Sequence, residues 1–176
     1  HGFNVLEITL RTADALNIIN VLAEEFKALV IGAGTVNDID TMELVVQSRA
    51  KFAVSPGFSP SLASLASMYS LPYLPGVATP SEVIQAKAYG FDCLKLFPAE
   101  VCGGINWLKS LSSVFQDINF CPTGGINFDN ASTYLALENV ISVGMSALTP
   151  NQLIKNKDWD GVQTLLKRAS MLMQAS

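Results

Sequence analysis

Short runs of β-forming residues recur along this chain at intervals of roughly 20 to 26 residues, with amphipathic stretches between them. Repeated strand–helix units of this kind are typical of α/β proteins with a parallel sheet. We therefore predict an α/β fold and, within that class, a (β/α)8 barrel of the TIM type. The predicted strands cover residues 5–10, 28–31, 52–54, 72–74, 93–97, 119–121 and 140–143.

The seven predicted strands are one fewer than the eight that close a TIM barrel, and the chain begins within the first of them. We expect the first strand and helix of the barrel to be missing from the chain as given, because the sequence is truncated or is the ordered part of a longer one. A deliberately open sheet is the alternative. Since no linker or composition shift interrupts the sequence, residues 1–176 are predicted to form a single domain.

Composition and charge restrict the class of function. The formal net charge is −4, and no Lys/Arg cluster suits a nucleic acid or an anionic membrane. The three cysteines are widely spaced without a C-x-x-C pair, and the one histidine is His1, to which we assign no role; neither a disulfide framework nor a metal site is expected. No apolar run reaches the roughly 18 residues of a membrane span, and the first residues do not resemble a signal peptide. We expect a cytoplasmic protein that acts on a small molecule.

Polar residues alternate along the first predicted strand. Period-two geometry puts Glu7, Thr9 and Arg11 on one face of V-L-E-I-T-L-R-T. A barrel strand covered by helices has an apolar outer face, so these side chains are predicted to point towards the barrel axis. A solvated edge strand, or a structural ion pair between Glu7 and Arg11, explains the same pattern equally well.

Lys95 lies in the middle of the predicted strand C-L-K-L-F, where a surface lysine is out of place. Desolvation favours the neutral amine, which is the form that attacks a carbonyl, so Lys95 is a candidate nucleophile. Glu7 would then move protons, and Arg11 would bind a substrate carboxylate. A snorkelling lysine, or a salt bridge to Glu7, is the structural alternative.

Glycines follow the last two predicted strands, as Gly124-Gly125 after Thr123 and as Gly144-Met145-Ser146. In TIM barrels these loops commonly bind a phosphate group through backbone N–H groups. A phosphorylated substrate is one interpretation, and simple turn formation is the other. Since neither G-x-G-x-x-G nor G-x-x-x-x-G-K-[ST] occurs, no nucleotide cofactor is expected.

Six motifs in order resemble one family of enzymes from about residue 4 to the C-terminus: V-L-E-I-T-L-R-T, G-A-G-T-V, S-P-G-F, P-G-V-A-T-P-S-E, L-K-L-F-P-A-E and C-P-T-G-G-I. The family is that of the 2-dehydro-3-deoxy-phosphogluconate (KDPG) and 4-hydroxy-2-oxoglutarate (KHG) aldolases. The resemblance implies a class I aldolase, a carbon–carbon lyase of carbohydrate metabolism such as the Entner–Doudoroff pathway. Its substrates would be KDPG, which yields pyruvate and glyceraldehyde 3-phosphate, or KHG, which yields pyruvate and glyoxylate.

The same resemblance assigns roles to single residues. Lys95 would form a Schiff base with pyruvate or with the 2-oxo group of the substrate, and Glu7 would shuttle protons, with neither metal nor cofactor. The remaining assignments are Arg11 and Thr35 for the pyruvate carboxylate, Pro56 and Phe97 as pocket walls, Thr123 for a substrate carboxylate or hydroxyl, and Gly124, Gly125 and Ser146 for phosphate. Family members are usually trimers, so the resemblance also implies a homotrimer.

One departure from the family pattern concerns the phosphate loop. The family's Gly-Gly-Ser-Trp is replaced here by Gly144-Met145-Ser146-Ala147. A methionine at this position is expected to narrow the site and to shift preference towards an unphosphorylated aldol. Two other functions fit the residues less well: a phosphate-binding barrel isomerase or synthase in which Lys95 stays a cation, and a non-catalytic remnant whose open sheet binds a partner.

Overall fold

The computed structural model describes residues 2–174, which form two compact units. His1, Ala175 and Ser176 lie outside the described residues. Residues 4–95 form one unit, and residues 2–3 with the described residues from 96 onwards form the other. The prediction of a single domain stays a prediction.

Strands and helices alternate through the unit of residues 4–95. Its elements are β1 (Val5–Thr9), α1 (Ala15–Glu25), β2 (Val30–Gly34), α2 (Ile39–Gln47), β3 (Ala53–Val54), α3 (Pro60–Met68), β4 (Tyr73–Leu74), β5 (Gly76–Val77), α4 (Pro80–Ala88) and β6 (Cys93–Leu96), whose last residue belongs to the other unit. The first four strands form a sheet in the order β1-β2-β3-β4, and each neighbouring pair is parallel. Parallel pairing with a helix in the β1–β2, β2–β3 and β3–β4 connections is the predicted βα repeat.

Apolar side chains from the helices pack on this sheet. Ile19 of α1, Met42 and Val45 of α2 and Leu62 of α3 are fully or almost fully buried together with Ile31 of β2. Because α1 repeats apolar residues three and four positions apart, one stripe of that helix faces the sheet while its other side faces solvent. The core of this unit therefore lies between its sheet and its helices.

The second unit contains fewer regular elements. They are α5 (Gly104–Ser112), β7 (Asn119–Pro122), α6 (Ala131–Leu135), a 3-10 turn (Ser146–Leu148), α7 (Asn151–Lys155) and α8 (Trp159–Gln174). Phe120 of β7 is fully buried, and the ring of Trp107 on α5 meets it edge to face with 5.4 Å between centroids. Tyr134 of α6 is also fully buried, and aromatic side chains of this size bury a large apolar area.

The structure differs from the predicted strands at two places. Residues 140–143 form no continuous strand: Val140 makes an isolated bridge to Phe120, and Gly144, just beyond the predicted strand, makes another to Thr123. Ile141 is 58% exposed, so the run lacks the two-sided packing of a buried strand. Gly76–Val77 lies outside the predicted strands and forms the short strand β5. Among the helices described, none is both long and apolar enough to cross a bilayer.

Candidate active site

Lys95 is the most deeply buried charged residue of the described chain, at 7% exposure. It lies in β6 between Leu94 and Leu96, which are fully buried, and its backbone N–H donates to the carbonyl of Pro75 at 2.9 Å. The strand therefore holds this amine inside the protein, as the sequence predicts. A lysine in such surroundings needs a charged or polar neighbour.

Glu7 of β1 is that neighbour. Its Oε1 lies 3.6 Å from Nζ of Lys95, and its side chain is 30% exposed while that of Lys95 is 8% exposed. Among residues 2–174, Glu7 lies within ion-pair distance of Lys95 but not of Arg11, so the Glu7–Arg11 ion pair is absent there. A separation of 3.6 Å is longer than a direct hydrogen bond, and it places the Glu7 carboxylate close enough to exchange protons with a molecule that is bound to Lys95.

Gly34 of β2 makes room for Glu7. The parallel register of β1 and β2 pairs Glu7 with Gly32 and Thr9 with Gly34. A Cβ atom on Gly34 would collide with the Glu7 carboxylate, so only glycine lets that side chain lie across the strand. This role of Gly34 was missed by the sequence analysis because it depends on pairing with another strand.

Arg11 and Thr35 follow the ends of β1 and β2. Arg11 is exposed, and since β1 ends at Thr9, the strand alternation that predicted its direction stops before it. Its backbone N–H donates to the carbonyl of Thr9 at 2.8 Å, which forms a tight turn. Thr35 has φ 65°, a left-handed conformation that is rare for a β-branched residue. Strain of this kind clusters at binding and catalytic sites.

Pro56 is held by a network that sequence reasoning missed. Ser55, 1% exposed, donates its hydroxyl to the carbonyl of Gly57, and the Tyr73 hydroxyl donates to Ser55 Oγ at 2.8 Å. Burial raises the pKa of Tyr73, and the bond to Ser55 offsets part of that rise. Behind this turn, a Cβ on Gly76 would collide with the Pro56 carbonyl group. The Ser55-Pro56-Gly57 turn is thus held by the hydrogen bonds of Ser55 and packs closely against Gly76.

The turn after β7 carries the predicted substrate and phosphate residues Thr123, Gly124 and Gly125. The carbonyl of Thr123 accepts from the Ala99 N–H at 2.8 Å, and that of Gly124 accepts from the Glu100 N–H at 3.1 Å. The φ angles of Gly124 and Gly125 are 99° and 84°, values that favour glycine. Phe97, half-buried, opens the segment that contributes these two donors.

Gly144, Met145 and Ser146 lie beside Thr123. Gly144 forms a parallel bridge with Thr123, and a Cβ atom added to Gly144 would collide with the Thr123 side chain. Ser146 is exposed at the start of the 3-10 turn. Met145 has φ −129° and ψ 107°, an extended conformation that requires no glycine. Its side chain is half-buried, and the predicted shift of preference towards an unphosphorylated aldol stays a prediction.

Candidate metal ligands are lacking in the part of the chain that the structure describes, where no three His, Cys, Asp or Glu side chains cluster. The buried amine and its carboxylate neighbour are the reactive groups that the geometry offers. An amine of this kind is a nucleophile towards carbonyl compounds.

Comparison with known proteins identifies the family. The model of the KDPG and KHG aldolase family matches residues 1–165. The chain is 45% identical over 168 residues to the 2-dehydro-3-deoxy-phosphogluconate aldolase of Pseudomonas aeruginosa, a match that covers 96% of this chain and 76% of that protein. It is 38% identical over 168 residues to the KHG/KDPG aldolase of Escherichia coli K12, covering 96% and 79% of the two chains.

Solved structures give the same result. A KDPG aldolase from Legionella pneumophila, with pyruvate captured at low pH as a covalent carbinolamine intermediate, superposes with a TM-score of 0.90 at 42% identity, covering 93% of this chain and 80% of that one. This likeness confirms the predicted TIM-type α/β fold class. The chain therefore belongs to the KDPG and KHG aldolase family and is a carbon–carbon lyase of the class I, Schiff-base-forming kind.

Proposed function

We propose that Lys95 of this aldolase forms a Schiff base with the 2-oxo group of KDPG or KHG. Cleavage then yields pyruvate together with glyceraldehyde 3-phosphate or glyoxylate, respectively. The observation that carries the proposal is the buried amine of Lys95 with the Glu7 carboxylate 3.6 Å away. The names of the relatives from Pseudomonas aeruginosa and Escherichia coli support the choice of substrates.

The chemistry follows from an amine and a carboxylate at this distance. The neutral Nζ of Lys95 adds to the C2 carbonyl to form a carbinolamine. Glu7, in its protonated form, gives a proton to the carbinolamine hydroxyl, which leaves as water, so that an iminium ion and the Glu7 carboxylate remain. Glu7 takes the proton of the C4 hydroxyl, the C3–C4 bond breaks, and its electron pair converts the iminium ion to an enamine as the aldehyde leaves. Glu7 then returns the proton to C3, and water hydrolyses the imine to release pyruvate.

Arg11 and Thr35 are proposed to bind the carboxylate of the pyruvate half. A guanidinium group forms paired hydrogen bonds with a carboxylate, and Arg11 is exposed beyond the end of β1. The left-handed conformation of Thr35 supports a role in binding. Pro56 and Phe97 are proposed as apolar walls of the substrate site, and Thr123 as a contact to a substrate hydroxyl or carboxylate.

Gly124, Gly125 and Ser146 are proposed to bind the phosphate group of KDPG. Positive φ angles and the absence of side chains at the two glycines favour a close approach of an anion to backbone N–H groups. The exposed hydroxyl of Ser146 is a further hydrogen-bond donor.

The proposal also covers the binding partner, the cellular compartment and the oligomeric state of the enzyme. Its partner is a small 2-oxo acid, and we propose that it works in the cytoplasm as a homotrimer. Size-exclusion chromatography with light scattering measures the oligomeric state directly, and a monomer at micromolar concentration would contradict the trimer.

Reductive trapping tests the nucleophile. Pyruvate with sodium borohydride should attach covalently to the wild-type protein, and peptide mapping should place the adduct on Lys95. The Lys95→Ala variant should give no adduct and no aldol cleavage, while Lys51→Ala, which removes an exposed lysine, should behave as wild type. The Glu7→Gln variant should still form some adduct but cleave KDPG about 10²-fold more slowly.

The opposite results are equally informative. Full activity of Lys95→Ala would rule out the Schiff base at this residue. A folded wild-type protein that gives no adduct would favour a reaction in which Lys95 stays a cation and stabilises a substrate oxyanion.

A further inference from the structure

Tyr134 and Glu100 form a contact that the proposed mechanism does not use. Tyr134 lies on α6 and is fully buried, and its hydroxyl donates to Oε1 of Glu100. Burial, and then the neighbouring Glu100 carboxylate, raise the pKa of Tyr134, so the phenol keeps its proton and remains a donor. A hydrogen bond to a charged acceptor is stronger than one between neutral groups.

The carboxylate of Glu100 lies at the beginning of α5. A Cβ on Gly104 would stand 2.6 Å from the Tyr134 hydroxyl oxygen and 3.0 Å from Glu100 Oε1. Gly104 has φ 54°, and its N–H donates to the carbonyl of Ala99 at 2.9 Å. Glycine at position 104 therefore leaves the space in which the phenol and the carboxylate meet.

The stem of the same glutamate packs against the proposed phosphate-binding turn. A Cβ on Gly125 would collide with Cβ and Cγ of Glu100, and the Glu100 N–H donates to the Gly124 carbonyl at 3.1 Å. The Gly125 carbonyl also accepts from the side-chain amide of Asn130 at 3.1 Å. The stem of Glu100 therefore lies against this turn, while the Tyr134 hydroxyl holds its carboxylate.

We propose that Tyr134 is a positioning residue that holds the Glu100 carboxylate at the start of α5 and so keeps the Gly124–Gly125 turn open to a phosphate group. The inference rests on the proposed binding of phosphate at that turn. Without the tyrosine hydroxyl, the Glu100 carboxylate repels a phosphorylated substrate and competes with it for the same N–H donors.

Steady-state kinetics on two substrates provide the test. Tyr134→Phe keeps the buried ring and removes the hydroxyl. It should raise KM for KDPG about tenfold, while kcat/KM for the unphosphorylated KHG and pyruvate trapping change less than about twofold. Adding Glu100→Gln to Tyr134→Phe should lower KM for KDPG again, because the repelling charge is gone. The exposed Tyr69→Phe is the matched control.

Two outcomes would overturn the inference. One is an unchanged KM for KDPG in Tyr134→Phe. The other is an equal loss on both substrates that Glu100→Gln does not relieve, since that result means a purely structural role.

A separate measurement distinguishes this inference from the proposed function. Titration with inorganic phosphate, followed by NMR at the Gly124 and Gly125 amides, should show weaker binding in Tyr134→Phe and recovery in the double variant. An enzyme that forms no adduct with pyruvate but shows this pattern would refute the Schiff base and retain the role of Tyr134. Normal pyruvate trapping with amide signals that do not respond to phosphate would refute this inference alone.

Discussion

A lysine amine at 7% exposure loses most of its hydration, and the Glu7 carboxylate 3.6 Å away helps to compensate for that loss. The position of Glu7 also matters for the proton transfer that the proposed mechanism assigns to it. Gly34 makes this position possible because it has no side chain. Any side chain there would occupy the space of the Glu7 carboxylate.

Gly34→Ala is predicted to lower the rate of KDPG cleavage by more than its loss of stability explains. The added methyl group displaces Glu7, so KDPG cleavage should fall about 10²-fold while Lys95 still traps pyruvate with borohydride. Gly32→Ala is the matched control in the same strand, since its Cβ would meet the ring of Phe52 instead. Both variants should lose about 1–3 kcal/mol of unfolding free energy through overpacking, measured by urea denaturation. Equal activity of the two variants would contradict the role assigned to Gly34.

Among the elements, helices α3 and α4 differ in the hydrogen bonds that cap their N-termini. Thr79 and Glu82 form a complete capping box at α4: the Thr79 hydroxyl accepts from the Glu82 N–H at 3.3 Å, and the Glu82 carboxylate accepts from the Thr79 N–H at 2.8 Å. Helix α3 also has proline in its first turn, but its N-cap Ser59 makes no capping hydrogen bond. The motif T-P-S-E thus has a structural role, independent of any substrate.

Thr79→Ala is predicted to destabilise the protein by about 1 kcal/mol, because the Glu82 N–H at the start of α4 loses the Thr79 hydroxyl as its acceptor. Ser59→Ala should cost clearly less, since no capping bond is removed. Urea denaturation followed by circular dichroism measures both values. A loss for Ser59→Ala as large as that for Thr79→Ala would show that the capping box contributes nothing specific.

For the molecule as a whole, two tyrosines couple the unfolding free energy to alkaline pH, the buried Tyr134 and the half-buried Tyr73. The pKa values of Tyr73 and Tyr134 are raised from the usual 10.0, chiefly by burial. Above that value the unfolded chain releases these protons while the folded protein keeps them, so the unfolding free energy falls as pH rises through and beyond about 10. Below pH 10 the contribution is fully present.

Tyr73→Phe is predicted to make this alkaline loss of stability shallower. The variant also loses the bond to Ser55, so the slope between about pH 8 and pH 11, rather than the value at one pH, is the quantity to compare. Urea denaturation across this range in the wild type, in Tyr73→Phe and in the exposed-site control Tyr69→Phe provides it. Identical slopes for Tyr73→Phe and the wild type would contradict the prediction.

The local sequence pattern predicted several features of the fold and of the candidate site. The burial of Lys95 follows from its place between two leucines in a β-rich run, and the direction of Glu7 follows from strand alternation. Alternation does not extend to Arg11, because β1 ends at Thr9, so the predicted direction of Arg11 stays a prediction. The short strand β5 was missed, since Pro75 and Gly76 in sequence are typical of a turn.

The sequence by itself determined the βα repeat, the buried lysine and the motifs that identify the family, because periodicity and motif order are properties of neighbouring residues. Only the tertiary structure decided that Glu7 faces Lys95 over Gly34, that Tyr73 clamps the Ser55 turn and that Tyr134 binds Glu100. Each of those pairs joins residues at least 18 positions apart in the chain. Such contacts depend on strand register and helix packing, which a single sequence does not encode in any local pattern.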